Sequence, residues 1–590
     1  MAYVAPVNDI QFALEVTGSD RVAQLPGFAD ATPDLINTIV EEAGKFANDI
    51  LAPINWKGDQ DGAQWTEDGV KTVEGWREAY QQFSANGWQS LGFDPEYGGQ
   101  GMPRLVSAAV MEMWNAANMS FALCPLLTQG AIDAIHSHGS DFLKDTFLEK
   151  MISGEWTGTM NLTESQAGTD LASIRTSAKP NGDHYLLSGQ KIFITYGDHD
   201  LTENTVHLVL ARTPDAPAGV KGISLFVVPK FLLNQNGTLG ERNDAYCVSI
   251  EHKLGIHASP TAVMAYGDNG GAVGYLVGEE NHGLMYMFTM MNIARHSVGV
   301  QGYALAERAY QQARDFAFER VQGKAMLTGE SGSRGIINHP DIRRILMTMR
   351  SQVEAMRLLG LECAGVFDHA DRHEDQDYAA FCQRRGELLT PLVKGWSSEI
   401  GVELCSLGVQ VHGGMGFIEE TGAAQHLRDA RITPIYEGTT AIQANDLIGR
   451  KLARDGGQGV KELIDAMLQS VERAPAELSG EIAETTALGI AAIEATTEWM
   501  LSQDSPSLPA SASVNYLMMM GMLAGQWMML RSAAHAHAKL LAGEGDAEYL
   551  QAKIDIARFY STQITPRAFG LRDSILNGSD VAVTFAEAQF

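Results

Sequence analysis

Between residues 156 and 280 the chain changes character, and this change restricts its fold more than any other feature. The runs WTGTMNLTE, HYLLSGQKIFIT, HLVLAR and GISLFVVP are short and rich in β-branched and aromatic residues, which is how strands read. Turn clusters such as KPNGDH, TYGDHD and TPDAPAGVKG separate them. On both sides the chain reads as helix. Residues Pro33–Leu51 are rich in Ala, Glu and Ile and follow Thr32, a residue suited to capping. GFDPEYGGQGMP at 92–103 is a Gly/Pro loop, after which helical periodicity resumes. From about 284 a near-continuous apolar stripe runs on toward ERV at 319–321. Strands grouped with strands and helices with helices exclude an alternating βαβ chain. The expected class is α+β: an N-terminal helical domain over 1–155, an antiparallel β barrel or sandwich over 156–280, a helical bundle over 281–455 and a helical extension over 456–590. Breaks are expected at ARDGGQGVKE, 453–462, and at SQDSPSLPASAS, 502–513.

A chain of 590 residues with 45% hydrophobic and 19% charged residues can bury more than one core. Its 43 basic residues stand against 72 acidic ones, net −29. That balance argues against nucleic acid or an anionic membrane surface as the main partner. The five cysteines are scattered, with no CxxC, which points to a reducing compartment and away from a disulfide framework. The start, MAYVAPVNDIQFALEV, has neither a basic segment leading an apolar one nor an Arg-rich pattern, so no targeting signal and a cytoplasmic location are expected. VNYLMMMGMLAGQWMML, 514–530, carries an Asn, a Gln and two Gly and falls short of the roughly 20 apolar residues of a spanning helix. It is expected as a helix buried in a bundle.

Several common sites have no support. No GxGxxG follows a strand, and neither a phosphate-binding GxxxxGK[ST] nor a GxSxG occurs. His369 and His373 lie four apart in DHADRHED, 368–375, but no third ligand is evident and no metal is expected. His535 and His537 lie two apart and face different sides of a helix.

One acid stands out. RITPIYEGTT, 431–440, holds Glu437 between an aromatic and a glycine, in a stretch too apolar for a solvated carboxylate. It belongs to one of three stretches that go together: MNLTESQAGTDLASIRTSA at 160–178 with SGQKIFITYG at 188–197, ARHSVGVQGYALAERAYQQARDFAFERVQGKAM at 294–326, and LGVQVHGGMGFIEETGAAQHLRDARITPIYEGTTAIQ at 407–443. With PEYGGQGMP at 95–103, KLGIHASPT at 253–261 and VGEENHG at 277–283, these segments resemble, in order and spacing, the flavin-dependent acyl-CoA dehydrogenase family over roughly residues 35–450.

The resemblance implies FAD held between the β-domain and the second helical domain. On its pattern, Thr163 bonds the flavin ring, Met160 and Leu162 line it, and Gly168 lets backbone approach the cofactor. Thr169 meets both the flavin phosphate and the CoA moiety. Phe193 and Thr195 match a Trp-x-Thr pair covering the ring's other side, with Phe keeping a stacking face but no indole donor. Arg320 resembles an arginine that reaches a neighbouring subunit's FAD diphosphate, a role that suits a guanidinium fork. The spacing here is one residue shorter than usual and lacks the family's aromatic. Gln410, Gly413 and Gly414 resemble the turn that wraps the adenosine end of the same cross-subunit cofactor. Arg295, joined by Asn292, resembles the residues beside the acyl-CoA.

IYEGTT matches the family's catalytic motif, which makes Glu437 the base. Tyr436 then packs near the flavin, Gly438 leaves room for the thioester, and Thr439 touches the cofactor. Ala441 stands where many relatives carry a polar residue. An apolar pocket raises a carboxylate's pKa and strengthens it as a base. The implied reaction removes a Cα proton and passes a hydride from Cβ to flavin, with an electron-transfer flavoprotein as acceptor. The long form and its start further resemble a sub-group acting on 3-methylmercaptopropionyl-CoA, which becomes methylthioacryloyl-CoA in dimethylsulfoniopropionate breakdown. A short- or medium-chain acyl-CoA dehydrogenase is the alternative. An acyl-CoA oxidase stays open because it differs only in oxygen access. A flavin-bearing relative associated with nucleic acid is opposed by the net charge of −29. The extension favours a homodimer over a tetramer. The Met-rich runs LMYMFTMM and LMMMGMLAGQWMML read as core.

Overall fold

In the computed structural model, which describes residues 3–234, 236–324, 326–327 and 334–590, the helical, β and helical segments follow one another in the expected α+β order. Thr32 accepts a hydrogen bond from the Leu35 N–H and Pro33 opens the helix Pro33–Phe46, as its missing N–H permits. The central element of the N-terminal part is α1, Arg104–His138, buried along most of its length. It kinks at Asn118 (φ −161°) rather than at Pro125. The Asn118 side chain accepts from the Phe121 N–H at 3.1 Å and so caps the second half of the helix from within.

Eight strands form the main sheet: β1 Thr157–Asn161, β2 Ser177–Asn181, β3 His184–Thr195, β4 Thr205–Ala211, β5 Ser224–Pro229, β6 Ala245–Ile250, β7 Thr261–Tyr266 and β8 Ala272–Leu276. Their order is β6-β7-β3-β8-β5-β4-β1, with β2 paired to β3. The pairings are antiparallel with one correction to the expected all-antiparallel sheet: β1 runs parallel to β4. A parallel neighbour requires a long crossover rather than a hairpin, and here β2 and β3 lie within the connection.

Three long helices follow: α2 Gly283–Glu319, α3 Pro340–Arg372 and α4 Gln376–His412. A seam of small residues brings α2 and α4 close. A Cβ on Gly302 would lie 2.4 Å from the Ser397 carbonyl oxygen, and one on Gly401 would lie 2.5 Å from that of Gly302. Buried Arg357 of α3 pairs with Glu112 of α1 at 2.6 Å and Glu307 of α2 at 2.9 Å, tying three helices together. The short α5, Thr440–Ile448, leads toward the extension.

The extension is built around α6, Ser507–Ala542, which contains the Met-rich run. Met519, Met520, Met528 and Met529 are fully buried there, and a Cβ on Gly521 would sit 2.4 Å from Trp396 of α4. The run is therefore core of a bundle. No helix among the described residues is long and apolar enough to cross a membrane. The expected break at 502–513 is shorter than read, because α6 already begins at Ser507. Pro509 falls in its first turn, where backbone N–H groups have no intrahelical acceptor and proline is tolerated.

Candidate active site

The turn before α5 is conformationally unusual. Glu437 has φ 56° and Gly438 has φ 87°, both left-handed. A glutamate in that region is uncommon and persists only where its surroundings hold it. Here four contacts do so. Lys394 of α4 donates from Nζ to the Gly438 carbonyl at 2.7 Å. Gln443 of α5 donates from Nε2 to the Glu437 carbonyl at 3.2 Å. The Thr440 N–H reaches the Pro434 carbonyl at 3.1 Å, and its hydroxyl donates to Glu399 at 2.5 Å. Thr439 caps α5 by accepting from the Ile442 N–H at 3.4 Å.

Glu437 is largely surrounded by protein yet keeps some accessible surface. Burial pushes its carboxyl above the ordinary range, while the positive charges of Arg295 and Lys394 pull the other way. Among the described residues no group donates a hydrogen bond to that carboxylate. Arg295 on α2 is 5% exposed, lies 3.9 Å from Asp446 of α5 and sets its guanidinium over the Phe288 ring. Asn292, three positions earlier on α2, is exposed. Tyr436 turns inward and donates its hydroxyl to Gln301 of α2.

The β-domain brings the second set together. Met160 and Leu162, at the end of β1, are nearly buried. The Thr163 carbonyl accepts from the Ile192 N–H at 2.9 Å, which sets Thr163 beside Phe193 on β3. Phe193 has φ 60° and is 59% exposed, so an aromatic face is presented outward from a strained backbone. Thr195 follows it, its carbonyl accepting from the Thr159 hydroxyl at 2.6 Å. Gly168 and Thr169 lie exposed on the loop after β1. That loop is organised by buried Glu164, which accepts from the Arg175 N–H, the Thr176 N–H and hydroxyl, and Lys191 Nζ. The segment KLGIHASPT docks on the helical side: the Ile256 N–H donates to Asp429 at 2.5 Å, just before the Glu437 turn.

A third set lies elsewhere. Arg320 ends α2 and Gln410, Gly413 and Gly414 end α4. The two ends adjoin through Phe316 and His412, whose ring centroids are 4.5 Å apart. All four residues are exposed, and Gly413 takes φ 59°, ψ −140°, a backbone region open essentially to glycine. Gln301, which reaches Tyr436, and Arg320 are nineteen positions apart on α2, about 28 Å at 1.5 Å per residue. Exposed Phe318, Met415, Phe417 and Ile418 surround these ends, Phe417 being 87% exposed.

His369 and His373 pack on Tyr378, and among the described residues no group of three or more His, Cys, Asp and Glu is placed to hold a metal. Reasoning from the sequence overlooked Lys394, Gln443, Glu399, Gln301 and the pair Glu164–Lys191. The one available signal was PLVKGW, a lone cation in an apolar helical run.

Models of the acyl-CoA dehydrogenase N-terminal, middle and C-terminal domains match residues 36–155, 159–266 and 281–452. A model described as acetyl-CoA dehydrogenase C-terminal like matches 460–586. The 3-methylmercaptopropionyl-CoA dehydrogenase of Ruegeria pomeroyi is 49% identical over 99% of this chain and 100% of its own length. The broad-specificity linear acyl-CoA dehydrogenase FadE5 of Mycobacterium tuberculosis is 33% identical over the whole of both chains. Among solved structures, an acyl-CoA dehydrogenase from Bacillus anthracis complexed with FAD superimposes with a TM-score of 0.70, at 21% identity, over 96% of this chain and 91% of that one.

Proposed function

The chain belongs to the acyl-CoA dehydrogenase family and is an FAD-dependent acyl-CoA dehydrogenase, and from that premise we propose that it converts 3-methylmercaptopropionyl-CoA to methylthioacryloyl-CoA in dimethylsulfoniopropionate breakdown, with Glu437 as base. The observation that carries the substrate is the end-to-end 49% identity, extension included, with the relative of that name.

The residues present fit the cofactor. Gly168 and Gly414 have no left-handed φ, and a Cβ on either would meet nothing within 4 Å, so neither backbone strain nor packing in this chain explains a glycine there. Close approach of a bound group does. Phe193 offers an outward aromatic face beside Thr163. Met160, Leu162, Thr163, Gly168, Thr169, Phe193 and Thr195 would hold the flavin end. When bound, FAD accepts the hydride that leaves Cβ.

The chain's own residues do the rest. A thioester Cα proton is weakly acidic, so its base must be desolvated and aligned. Glu437 meets both demands: burial raises its proton affinity, and the clamped turn fixes its direction. Among the described residues its own N–H donates to no protein acceptor, which leaves it available to the thioester oxygen as charge develops there. Gly438 keeps the next position small. Arg295 and Asn292 would lie along the acyl-CoA.

Arg320, Gln410, Gly413 and Gly414 would serve the cofactor of a second copy. Their distance from the Glu437 turn and the apolar residues around them support a homodimer. The electrons would pass to an electron-transfer flavoprotein. Free Cys124, Cys247, Cys363, Cys382 and Cys405 suit a cytoplasmic, reducing setting.

Anaerobic flavin bleaching by a panel of CoA esters tests the reading. The methylthio ester should give the highest kcat/KM. An equal or higher value for butyryl-CoA or a longer linear ester would assign a general short- to medium-chain enzyme instead.

A further inference from the structure

Lys394 is fully buried in α4, and its ammonium is one of the contacts that hold the Glu437 turn. We propose that Lys394 is a positioning residue for Glu437: its ammonium clamps the left-handed Glu437–Gly438 turn and supplies the positive field in which the carboxylate works. This rests on the reading of Glu437 as the base.

A buried lysine normally sits in contact with a carboxylate, because burying a lone cation is costly. Among the described residues no carboxylate oxygen lies within ion-pair distance of Lys394, and its hydrogen bond goes to the Gly438 carbonyl at 2.7 Å. Its electrostatic partners, Glu437 and Glu399, act on it from further away. Glu399 is engaged by the Thr440 hydroxyl at 2.5 Å. The small-residue seam between α2 and α4 explains how the ammonium reaches the turn: a Cβ on Gly299 would lie 2.5 Å from Val393, so the backbone next to Lys394 is pressed against α2. A methionine would fill the same space without the cost of a buried charge. The charge is therefore kept at a cost, and what it touches is the backbone carbonyl of the residue that follows the base.

The surrounding charges define its effect. Arg295 faces Glu437 from α2, with Asp446 of α5 and Arg450 just beyond it. Tyr436 adjoins Glu437, and Asp429 lies behind Tyr436. Lys394 and Glu399 face the turn from α4. Burial pushes Lys394 down to about 7, the Glu437 and Glu399 charges opposing this. Burial also raises Glu437. Burial therefore moves the two groups toward one another, and each one's charge opposes that shift in the other. Without the ammonium, Glu437 keeps Arg295 alone and holds its proton more tightly.

The test compares Lys394→Met and Lys394→Arg holoenzymes with wild type, with Glu437→Gln as reference. Three readouts are taken: flavin content, the pH profile of kcat/KM for flavin reduction, and the infrared carboxylic-acid band that Glu437→Gln abolishes, followed against pH. Lys394→Met should keep its flavin and lose at least tenfold in kcat/KM at pH 7. The acid limb and the infrared transition should both move up by about one unit, a tenfold change in proton affinity. Lys394→Arg should keep the limb near its wild-type position and lose kcat, because the charge stays while the clamp changes. An unmoved limb and infrared transition in Lys394→Met would overturn the proposal, leaving a merely structural lysine. Should Lys394→Met fail to hold flavin, Lys394→Arg decides, and wild-type kcat in that variant would also overturn it. Flavin reduction at the wild-type rate in Glu437→Gln would remove the base assignment itself, a distinct outcome.

Discussion

Lys191 donates to Glu164 at 2.9 Å, and the two side chains are 0% and 5% exposed. The pair joins β3, which carries Phe193, to the loop after β1, which carries Gly168 and Thr169. Glu164 also receives the Arg175 and Thr176 backbone N–H groups, so one carboxylate fixes both ends of that loop. Burial pushes Glu164 up, but the Lys191 charge and these hydrogen bonds outweigh it and bring it down to about 2.

Lys191→Met should therefore loosen the loop that carries Gly168 and Thr169. Breaking a buried pair from one side costs about 3–5 kcal/mol, and the surviving hydrogen bonds to Glu164 place this case at the lower end. The expected result is a lower thermal midpoint and flavin loss on gel filtration, both partly recovered in Glu164→Gln/Lys191→Met. The pH sign follows from the lowered Glu164 pKa. Its contribution is full above the unfolded carboxylate value and is lost as pH falls through about 2. Lys191→Met should accordingly show a flatter acid limb of stability than wild type. A limb of the same slope would show that the pair is not what holds the loop.

A neighbouring residue should separate stability from cofactor binding. Phe193 has φ 60°, a conformation that costs an L-residue roughly 1–2 kcal/mol and costs glycine nothing. Its ring is mostly exposed, so little packing is lost on removal. Phe193→Gly should leave the thermal midpoint of the apoprotein nearly unchanged, since relief of strain offsets the added unfolded-state entropy. Flavin affinity should fall by roughly tenfold, about 1.4 kcal/mol, as an aromatic contact is lost. A midpoint drop of many degrees with unchanged flavin affinity would reverse this picture.

These residues also show what was legible in the sequence. HYLLSGQKIFIT predicts a strand and β3 has its limits at His184 and Thr195, because β-branched runs bounded by turn residues are a local signal. The parallel pairing of β1 with β4 depends on where a long connection returns, which no local pattern encodes. Pro506 and Pro509 suggest a longer break than exists, since a proline reads alike in a loop and in a helix's first turn. Glu437 could be picked out by its apolar neighbours, but its left-handed φ and its clamp could not. Lys394 lies in a distant helix, and its role exists only once α4 is folded against the turn.

Glu437→Gln tests the base and the energetics of its burial together. Loss of a general base lowers a rate by about 10²–10⁴, so flavin reduction by the best CoA ester should drop within or beyond that range while flavin content stays constant. A carboxyl whose folded pKa is raised contributes stability that is fully present below its unfolded pKa and lost as pH rises through the folded value. Glu437 is raised, so the wild type should lose stability relative to Glu437→Gln as pH rises above the ordinary carboxylate range. Thermal melts at acid and at mildly alkaline pH should show the variant gaining on the wild type as pH rises. A constant difference would mean that the carboxyl is ordinary, and with it the case for a desolvated base.

The last prediction concerns the ends of α2 and α4. Arg320 lies about 28 Å along α2 from the residue that meets Tyr436, next to the α4 end that carries Gln410, Gly413 and Gly414, at a surface where Phe417 is 87% exposed beside Met415 and Ile418. Apolar side chains grouped on a surface mark a contact, and the arginine, glutamine and two glycines beside them would suit the phosphates of a bound cofactor. If a second copy covers this face and shares its cofactor, association and flavin retention are one property. Phe417→Asp should then yield monomers by analytical ultracentrifugation and lose flavin in the same proportion, although Phe417 lies far from the Glu437 turn. Arg320→Met should lower flavin retention while leaving the dimer intact, since it removes the phosphate-matching fork but none of the apolar contact. Monomeric Phe417→Asp with full flavin content would show that each chain holds its cofactor alone, and Arg320, Gln410, Gly413 and Gly414 would then need another ligand.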